Sequence, residues 1–286
     1  MLESILNFRE ISKNPHLAFV WSFVITCVAI FISLQLSYEI YLGTGQVFSL
    51  TGIFSVVFTV IPLVYLMTYT LRREEQIEEE EIKHHYTEKT ILERHCYDIL
   101  FFLFIFLGIT VGYALFSFIL PESVFQIQLL KISELRGAIS GNFLAMSTST
   151  FSDFFTGAIA ANPEAAFYII FINNMKVLAF SFVFSLLYGC GAVFIIVWNA
   201  SILGVYIGYH AENITHMPIV ALSFLPHGLP EIAGYLFAGM SGGILSASLI
   251  RRHSMQITKK IFFDCLILLV VGTFLILIAA GIEAFL

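Results

Sequence analysis

The chain has 286 residues, of which 58% are hydrophobic and 12% are charged, with a formal net charge of -6. The charged share is about half that of a typical soluble domain, which indicates an integral membrane protein. The acidic excess comes mostly from one short stretch, Glu74–Glu81, so the net charge indicates no nucleic-acid partner. Apolar runs extend from Leu17 to Leu286. We therefore expect one all-α membrane domain over residues 1–286, folded as a polytopic transmembrane helical bundle.

Two apolar runs precede the charged stretch and are long enough to cross a bilayer. The first is Leu17–Leu36, which we interpret as a retained span, and the second is near Phe48–Leu71. The charged residues 72–95 that follow are predicted to form a solvated helical connection in the cytoplasm. The histidines and the cysteine in and beside it lack the spacing of a structural zinc motif, so no metal site and no cofactor is predicted.

The third span is predicted near Tyr97–Leu120. Its residues Gly108 and Gly112 form a small-xxx-small pair, which allows a neighbouring helix to approach closely. Residues 121–165 form a mildly amphipathic connection that is too long to be structureless. We expect one or two helices lying on the non-cytoplasmic membrane face there.

The fourth span is predicted to begin after Phe171–Lys176 and to run to about Val197, and it contains Gly189. Apolar character continues past Asn199 to Tyr209, which is too long for one straight transmembrane helix at about 1.5 Å per residue. A break is therefore expected, and Asn199 is the predicted position. The pair Gly204 and Gly208 is predicted to pack closely against another helix.

The most unusual stretch is Pro226-His227-Gly228-Leu229-Pro230-Glu231, set in an apolar run that ends at Ile250. Ionisable groups in such a run require a partner, a water-filled cavity or a neutral state. Proline at the first helical position would place Glu231 at a helix N-terminus. We therefore predict a broken or re-entrant membrane segment near Pro226–Glu231, with close-packing glycines after it: Gly234, Gly239, Gly242 and Gly243.

Basic residues predict the topology. Besides the cluster between Arg72 and Arg94, a second cluster comprises Arg251, Arg252, Lys259 and Lys260. The positive-inside rule places both clusters and the N-terminus in the cytoplasm, so the chain crosses the membrane an even number of times between them. With a last span near Ile261–Leu286, we expect about six membrane segments in the cell membrane, within a range of roughly five to seven.

The second half of the chain resembles the stage II sporulation protein M family of integral membrane proteins. The resemblance covers residues 171–252 and rests on Asn174, Gly189, Asn199, Gly204 and the motif Pro226-His227-Gly228-x-x-Glu231 with the glycines that follow. It implies a membrane component that is not an enzyme. In spore-forming bacteria the namesake holds cell-wall hydrolases at the septal membrane, so the implied role is a scaffold or membrane-organising component of a larger assembly. Most relatives have no settled role.

Asn174, Asn199, His227 and Glu231 are thus the candidate buried polar residues, and three interpretations of them stay open. In a scaffold, a His227–Glu231 hydrogen bond satisfies the interior of the bundle. In a transporter or channel, the same pair binds an ion or solute. In an intramembrane hydrolase, one of Ser201, Ser223 and Ser241 is the nucleophile, although no HExxH or GxSxG motif is present. No catalytic residue is assigned, and the expected partners are membrane lipid, proteins of a membrane complex and a second copy in a homodimer.

Overall fold

A computed structural model describes residues 14–36, 39–41, 47–84, 91–140, 163–251 and 255–285. Within these ranges the chain forms long helices, two short strands and two single 3-10 turns, at Glu122–Phe125 and Ile214–His216. The elements, in chain order, are α1 Pro15–Gln35, β1 Glu39–Tyr41, β2 Val47–Ser49, α2 Thr51–His84, α3 Ile91–Ile119, α4 Gln126–Ser140, α5 Pro163–Tyr188, α6 Ala192–His210, α7 Met217–Arg251 and α8 Met255–Phe285.

Seven of the described helices, all except α4, are long and apolar enough to cross a membrane. This confirms the prediction of an all-α polytopic bundle, and the number of spans lies within the predicted range. The antiparallel pair β1–β2, with Ile40 opposite Phe48, is a small addition that the sequence interpretation did not contain. It joins the end of α1 to the start of α2 and so reverses the direction of the chain.

Close contacts establish how α1, α3 and α6 run relative to one another. Gly108 of α3 faces Ser22 of α1, and Gly112 faces Thr26 one turn further on, so α1 and α3 are parallel. On another face of α3, Thr110 and Ala114 meet α6 in the same ascending order. Close approach along helices is the expected consequence of small residues at regular spacing. The three helices therefore run in one direction, and α2 runs in the other.

The α7 helix packs between α5 and α8 with opposite polarity towards the two. Gly234 of α7 lies against Gly272 of α8, and Ser241 Oγ donates to Cys265 O at 2.8 Å, so α7 and α8 are antiparallel. Tyr235 of α7 clusters with Leu178 of α5, and later residues of the two helices meet further on, so α5 and α7 are parallel. The spans thus alternate in direction along the chain. Four crossings separate the two basic clusters, in agreement with the predicted even number.

The reversal between α5 and α6 corrects the prediction of a break at Asn199. Asn199 lies inside α6, and α5 ends at Tyr188. Gly189 has φ +73, and α6 begins three residues later, at Ala192. The backbone N–H of Ala192 donates to Ser185 Oγ of α5 at 3.0 Å. A left-handed residue after the last helical turn is a common helix stop. The prediction was wrong because it took a polar side chain as the sign of a helix end. The helix ends instead where the backbone adopts a left-handed conformation.

Replacement of Gly189 by alanine tests this turn. A Cβ at Gly189 would have no heavy atom within 4 Å, so no steric clash accompanies the change. The left-handed conformation itself costs an L-residue about 1–2 kcal/mol. We expect Gly189→Ala to lower the free energy of unfolding by about that amount, and thermal unfolding in detergent measures it. A Gly281→Ala control, which also has open space around the Cβ, is expected to cause no such loss.

The prediction of a broken or re-entrant segment is wrong. The α7 helix is continuous over 35 residues, with Pro226 and Pro230 inside it, so Glu231 lies in mid-helix rather than at an N-terminus. A proline has no backbone N–H to donate to the carbonyl four residues earlier. The carbonyls of Leu222 and Pro226 therefore lack their intrahelical hydrogen bonds. Only these two backbone bonds are lost, and a membrane helix tolerates such losses where neighbouring groups re-satisfy them.

The predicted glycines have three different environments. A Cβ on Gly204, Gly208, Gly234, Gly239 or Gly242 would collide with a neighbouring helix, and Gly243 is buried in α7. Gly189 instead ends α5, as described above. Gly228 has only Phe224 Cβ near it, at 3.8 Å, so no neighbouring helix in the described ranges approaches it closely. Space beside a glycine that does not pack against a helix indicates a cavity.

Both predicted connections contain a helix where they are described. Residues 72–84 continue α2 beyond its apolar part, and α4 occupies Gln126–Ser140 of the connection 121–165, whose residues 141–162 lie outside the described ranges. Gln126 Oε1 accepts from Ser49 N at 3.1 Å, and Gln128 Nε2 donates to Gly52 O at 3.1 Å. These bonds attach α4 to the end of the bundle that contains β1–β2.

Candidate functional site

A cavity of about 490 Å³ lies inside the bundle, between α3, α4, α5, α6, α7 and the end of α8. Its walls use the first half of α5 and α7 and the second half of α6. Since α5 and α7 run opposite to α6 and α8, these parts all lie at one end. It is the end that contains β1–β2 and α4, opposite the end that contains Arg72, Arg251 and Lys259.

The α7 wall contributes three polar side chains at four-residue spacing. His227, Glu231 and Tyr235 lie on one face of the helix, because residues four apart are neighbours on a helix surface. Tyr235 Oη donates to Glu231 Oε1 at 2.6 Å. His227 is only 7% exposed, yet within the described part of the chain it makes no side-chain hydrogen bond. The hydrogen bond expected between His227 and Glu231 is therefore absent, and Tyr235 is the partner of Glu231.

The α5 and α6 walls contribute asparagines. Asn174 is 4% exposed, and its Oδ1 accepts from Asn173 Nδ2 at 3.3 Å. Asn174 Nδ2 faces Glu231 but reaches no hydrogen-bonding geometry with any group in the described ranges. Across the cavity, Asn199 Nδ2 donates to Ile195 O at 2.8 Å. Asn174 thus presents an unpaired amide donor to the cavity, whereas the Asn199 amide is held by its own helix.

A second carboxylate, Glu283, enters the cavity from the last turn of α8. It is close enough to Glu231 for the two charges to interact. Among the described residues, no lysine, arginine or histidine side chain lies within 4.0 Å of either carboxylate. Two acidic groups therefore share an interior site without a basic partner, an arrangement that is costly when both are ionised.

The rest of the lining is mainly apolar, with two lysines on the side formed by α4 and α5. Lys131 lies on α4, and Lys176 lies on the outward face of α5, at the rim of the cavity. Phe224 of α7 packs edge-on to Tyr206 of α6 at 4.7 Å between ring centroids. Among the described residues, in the cavity or outside it, no three His, Cys, Asp or Glu side chains are placed to hold a metal ion.

All four predicted polar residues, Asn174, Asn199, His227 and Glu231, line this cavity, although they come from three helices. The sequence interpretation missed Tyr206, Tyr235 and Glu283. A signal existed for Tyr235, which lies four residues after Glu231, and for Glu283, which is an acid in an otherwise apolar run. Tyr206 carries no signal beyond its seven-residue spacing from Asn199.

Seven apolar helices, five of which line a cavity that contains two carboxylates, define a polytopic membrane protein with a candidate site in its bundle. The family described as Stage II sporulation protein M matches residues 99–286, and the chain belongs to that family. The match confirms the resemblance and extends it beyond residues 171–252. The chain is also similar to the uncharacterized protein MJ0793 of Methanocaldococcus jannaschii, with 27% identity over 128 residues, 43% of this chain and 72% of that protein. No solved structure matches the chain.

Proposed function

We propose that this protein is a non-enzymatic membrane carrier that binds a small polar solute in the cavity lined by His227, Glu231 and Glu283. The observation that carries the proposal is a cavity of about 490 Å³ with the unpaired Asn174 amide in its wall. Pockets for small molecules have volumes of roughly 300–1,000 Å³, so the cavity has the size expected for a solute site.

The disposition of serine hydroxyls supports a role without catalysis. Ser201 Oγ donates to Trp198 O, Ser223 Oγ donates to Val220 O, and Ser241 Oγ donates to Cys265 O. None of the three serines lines the cavity. A nucleophile must lie within hydrogen-bond reach of its base, and none of these hydroxyls is paired with His227. The hydrolase interpretation therefore lacks a nucleophile among its own candidates.

The distribution of basic residues supports an orientation for the carrier. The cavity lies at the end opposite Arg72, Arg251, Lys259 and Lys260. Under the positive-inside rule those residues are cytoplasmic, together with the N-terminus and residues 72–95. We infer that the cavity lies in the non-cytoplasmic half of the membrane, where it receives solute from outside the cytoplasm.

A scaffold role, in which the protein organises a larger membrane assembly, is the second candidate. It is favoured by membership of a family whose namesake is a stage II sporulation protein and by the shape of α2. The apolar part of α2 ends at Thr68, but the helix continues to His84, which adds about 24 Å beyond the span. An extension of that length is a suitable attachment site for a protein partner. A carrier requires that the cavity be free to receive a solute, whereas a scaffold does not require this.

Filling the cavity distinguishes the two candidates. A leucine at position 228 has room to extend into the cavity, because only Phe224 Cβ lies near a Cβ there. We expect vesicles containing wild-type protein to trap at least one solute from an isotope-labelled cell extract, and those containing Gly228→Leu to trap at least tenfold less. Mass spectrometry of the vesicle contents measures this. Gly281→Leu is the matched control, because a Cβ at Gly281 also meets nothing within 4 Å.

The result that contradicts the carrier is equally specific. If wild type and Gly228→Leu have the same melting temperature and trap the same solutes to the same extent, the cavity has no role in transport. Recovery of the same protein partners by both, with no solute trapped by either, would support the scaffold.

A further inference from the structure

We propose that the solute carries an ammonium group, and that this group binds between Glu231 and Glu283 with its N–H bonds directed at the two carboxylates. The inference rests on the proposed solute-binding function and adds the chemical class of the solute. It is drawn from the charges in the cavity, from the unpaired Asn174 amide in its wall and from its volume.

The pair of carboxylates in the cavity is the first argument. Glu231 and Glu283 interact with each other and have no basic partner within 4.0 Å in the described ranges. Two carboxylates that share an interior site repel each other when both are ionised. A cation between them replaces this repulsion by two attractions. Buried carboxylates in a membrane protein commonly mark the path of an ion or a charged substrate.

The second argument comes from a polar group that is buried but unsatisfied. Asn174 is 4% exposed and its Nδ2 has no hydrogen-bond partner in the described ranges. This side chain lines the cavity that contains the two carboxylates. Leaving such a group unpaired costs about 1–3 kcal/mol. A bound solute that hydrogen-bonds to it recovers this free energy.

The third argument favours an organic cation over a bare metal ion. No three metal-ligating side chains converge in the described ranges, and the cavity is far larger than one ion. Its wall includes the rings of Tyr206, Phe224 and Tyr235. Aromatic rings attract cations through their faces, and apolar walls accommodate a hydrocarbon chain. An alkylammonium group combines the charge, the N–H donors and the apolar part that these walls match.

Binding of simple probes tests the inference without knowledge of the natural solute. The full-length protein in lipid nanodiscs is titrated with n-butylammonium, n-butanol, butyrate and tetramethylammonium at constant ionic strength, and its melting temperature is followed. A ligand that binds only the folded state raises this temperature. We expect n-butylammonium to bind at least tenfold more tightly than the other three, because only it has both the charge and N–H donors.

Variants locate the binding site. Glu231→Gln and Glu283→Gln are each expected to weaken n-butylammonium binding at least tenfold while the unliganded protein stays folded. Glu212→Gln is the control, because Glu212 is an exposed acid outside the cavity and its change should leave binding unaltered. Retention of the n-butylammonium effect in both cavity variants would overturn the inference.

The remaining outcomes separate this inference from the proposed function. If n-butanol or butyrate binds as well as n-butylammonium, and Gly228→Leu abolishes that binding, the solute is not cationic but the cavity is still a solute site. If tetramethylammonium binds equally well, the hydrogen bonds to the carboxylates are not required and the proposed geometry is wrong. If no probe shifts the melting temperature and Gly228→Leu traps the same labelled solutes as wild type, both proposals fail.

Discussion

Gly208→Leu is expected to lower the yield of the folded bundle severalfold and to destabilise what is recovered. A Cβ at Gly208 would overlap Ala114 O and Ser117 Oγ of α3, and backbone cannot move aside as the end of a flexible side chain can. One turn earlier, a Cβ at Gly204 would lie 2.5 Å from Thr110 O and 2.6 Å from Tyr113 Cβ. The leucine would therefore separate α3 from α6 along a continuous contact. Overpacking commonly costs about 1–3 kcal/mol and occasionally more, and we expect the upper end of that range or beyond.

The measurement is the yield of monodisperse protein after extraction, with thermal unfolding of whatever is recovered. Total stability of a native protein is only about 5–15 kcal/mol, so a loss of this size lowers the yield severalfold. Gly281→Leu adds the same side chain where a Cβ meets nothing within 4 Å and is expected to express normally. A normal yield and an unchanged melting temperature for Gly208→Leu would mean that α3 and α6 do not pack as described.

The spans were predictable from the sequence because hydropathy is a local property. Each bilayer-crossing helix requires about 20 mainly apolar residues, and such runs are visible without tertiary information. The positive-inside rule added a long-range constraint, the even number of crossings between Arg72 and Arg251. It gave the correct parity even though the boundaries within residues 174–250 were wrong.

The predicted ends of α5, α6 and α7 were wrong where a local sequence rule competes with packing or with the bilayer. The side chain of Asn199 donates a hydrogen bond to Ile195 O of the same helix, so it does not interrupt α6. Gly189 ends α5 through its backbone conformation, which residue type alone indicates only weakly. Pro226 and Pro230 are strong helix breakers in water, but the bilayer favours a continuous helix because irregular backbone exposed to lipid is more costly.

The candidate site was predictable in part for a related reason. His227 and Glu231 stand out because ionisable residues are rare in apolar runs, and Asn174 and Asn199 were marked by the family resemblance. Their meeting in one cavity depends on the parallel packing of α5 with α7 and on the reversal at Gly189, neither of which composition reveals. Glu283 was missed because nothing in the sequence places the last turn of α8 beside Glu231 of α7.

Asn174→Leu is expected to make the unliganded protein more stable and the solute site inactive. The amide Nδ2 of Asn174 is buried without a hydrogen-bond partner among the described residues, so its removal relieves a cost of about 1–3 kcal/mol. Only the 3.3 Å bond from Asn173 is lost in exchange. Leucine is of similar size and suits the apolar surroundings, so we expect the free energy of unfolding to rise by about 1 kcal/mol or more.

Asn199→Leu is the matched comparison, because its Nδ2 already donates to Ile195 O and its replacement removes a bond that is made. We expect no gain in stability for Asn199→Leu. Thermal unfolding of both variants, with n-butylammonium binding measured alongside, gives the two quantities needed. A rise in stability with a tenfold or greater loss of binding would show that Asn174 is retained for the solute at the expense of the fold. A fall in stability for Asn174→Leu would mean that its amide is satisfied in the native protein, and the argument for a ligand at that atom would no longer hold.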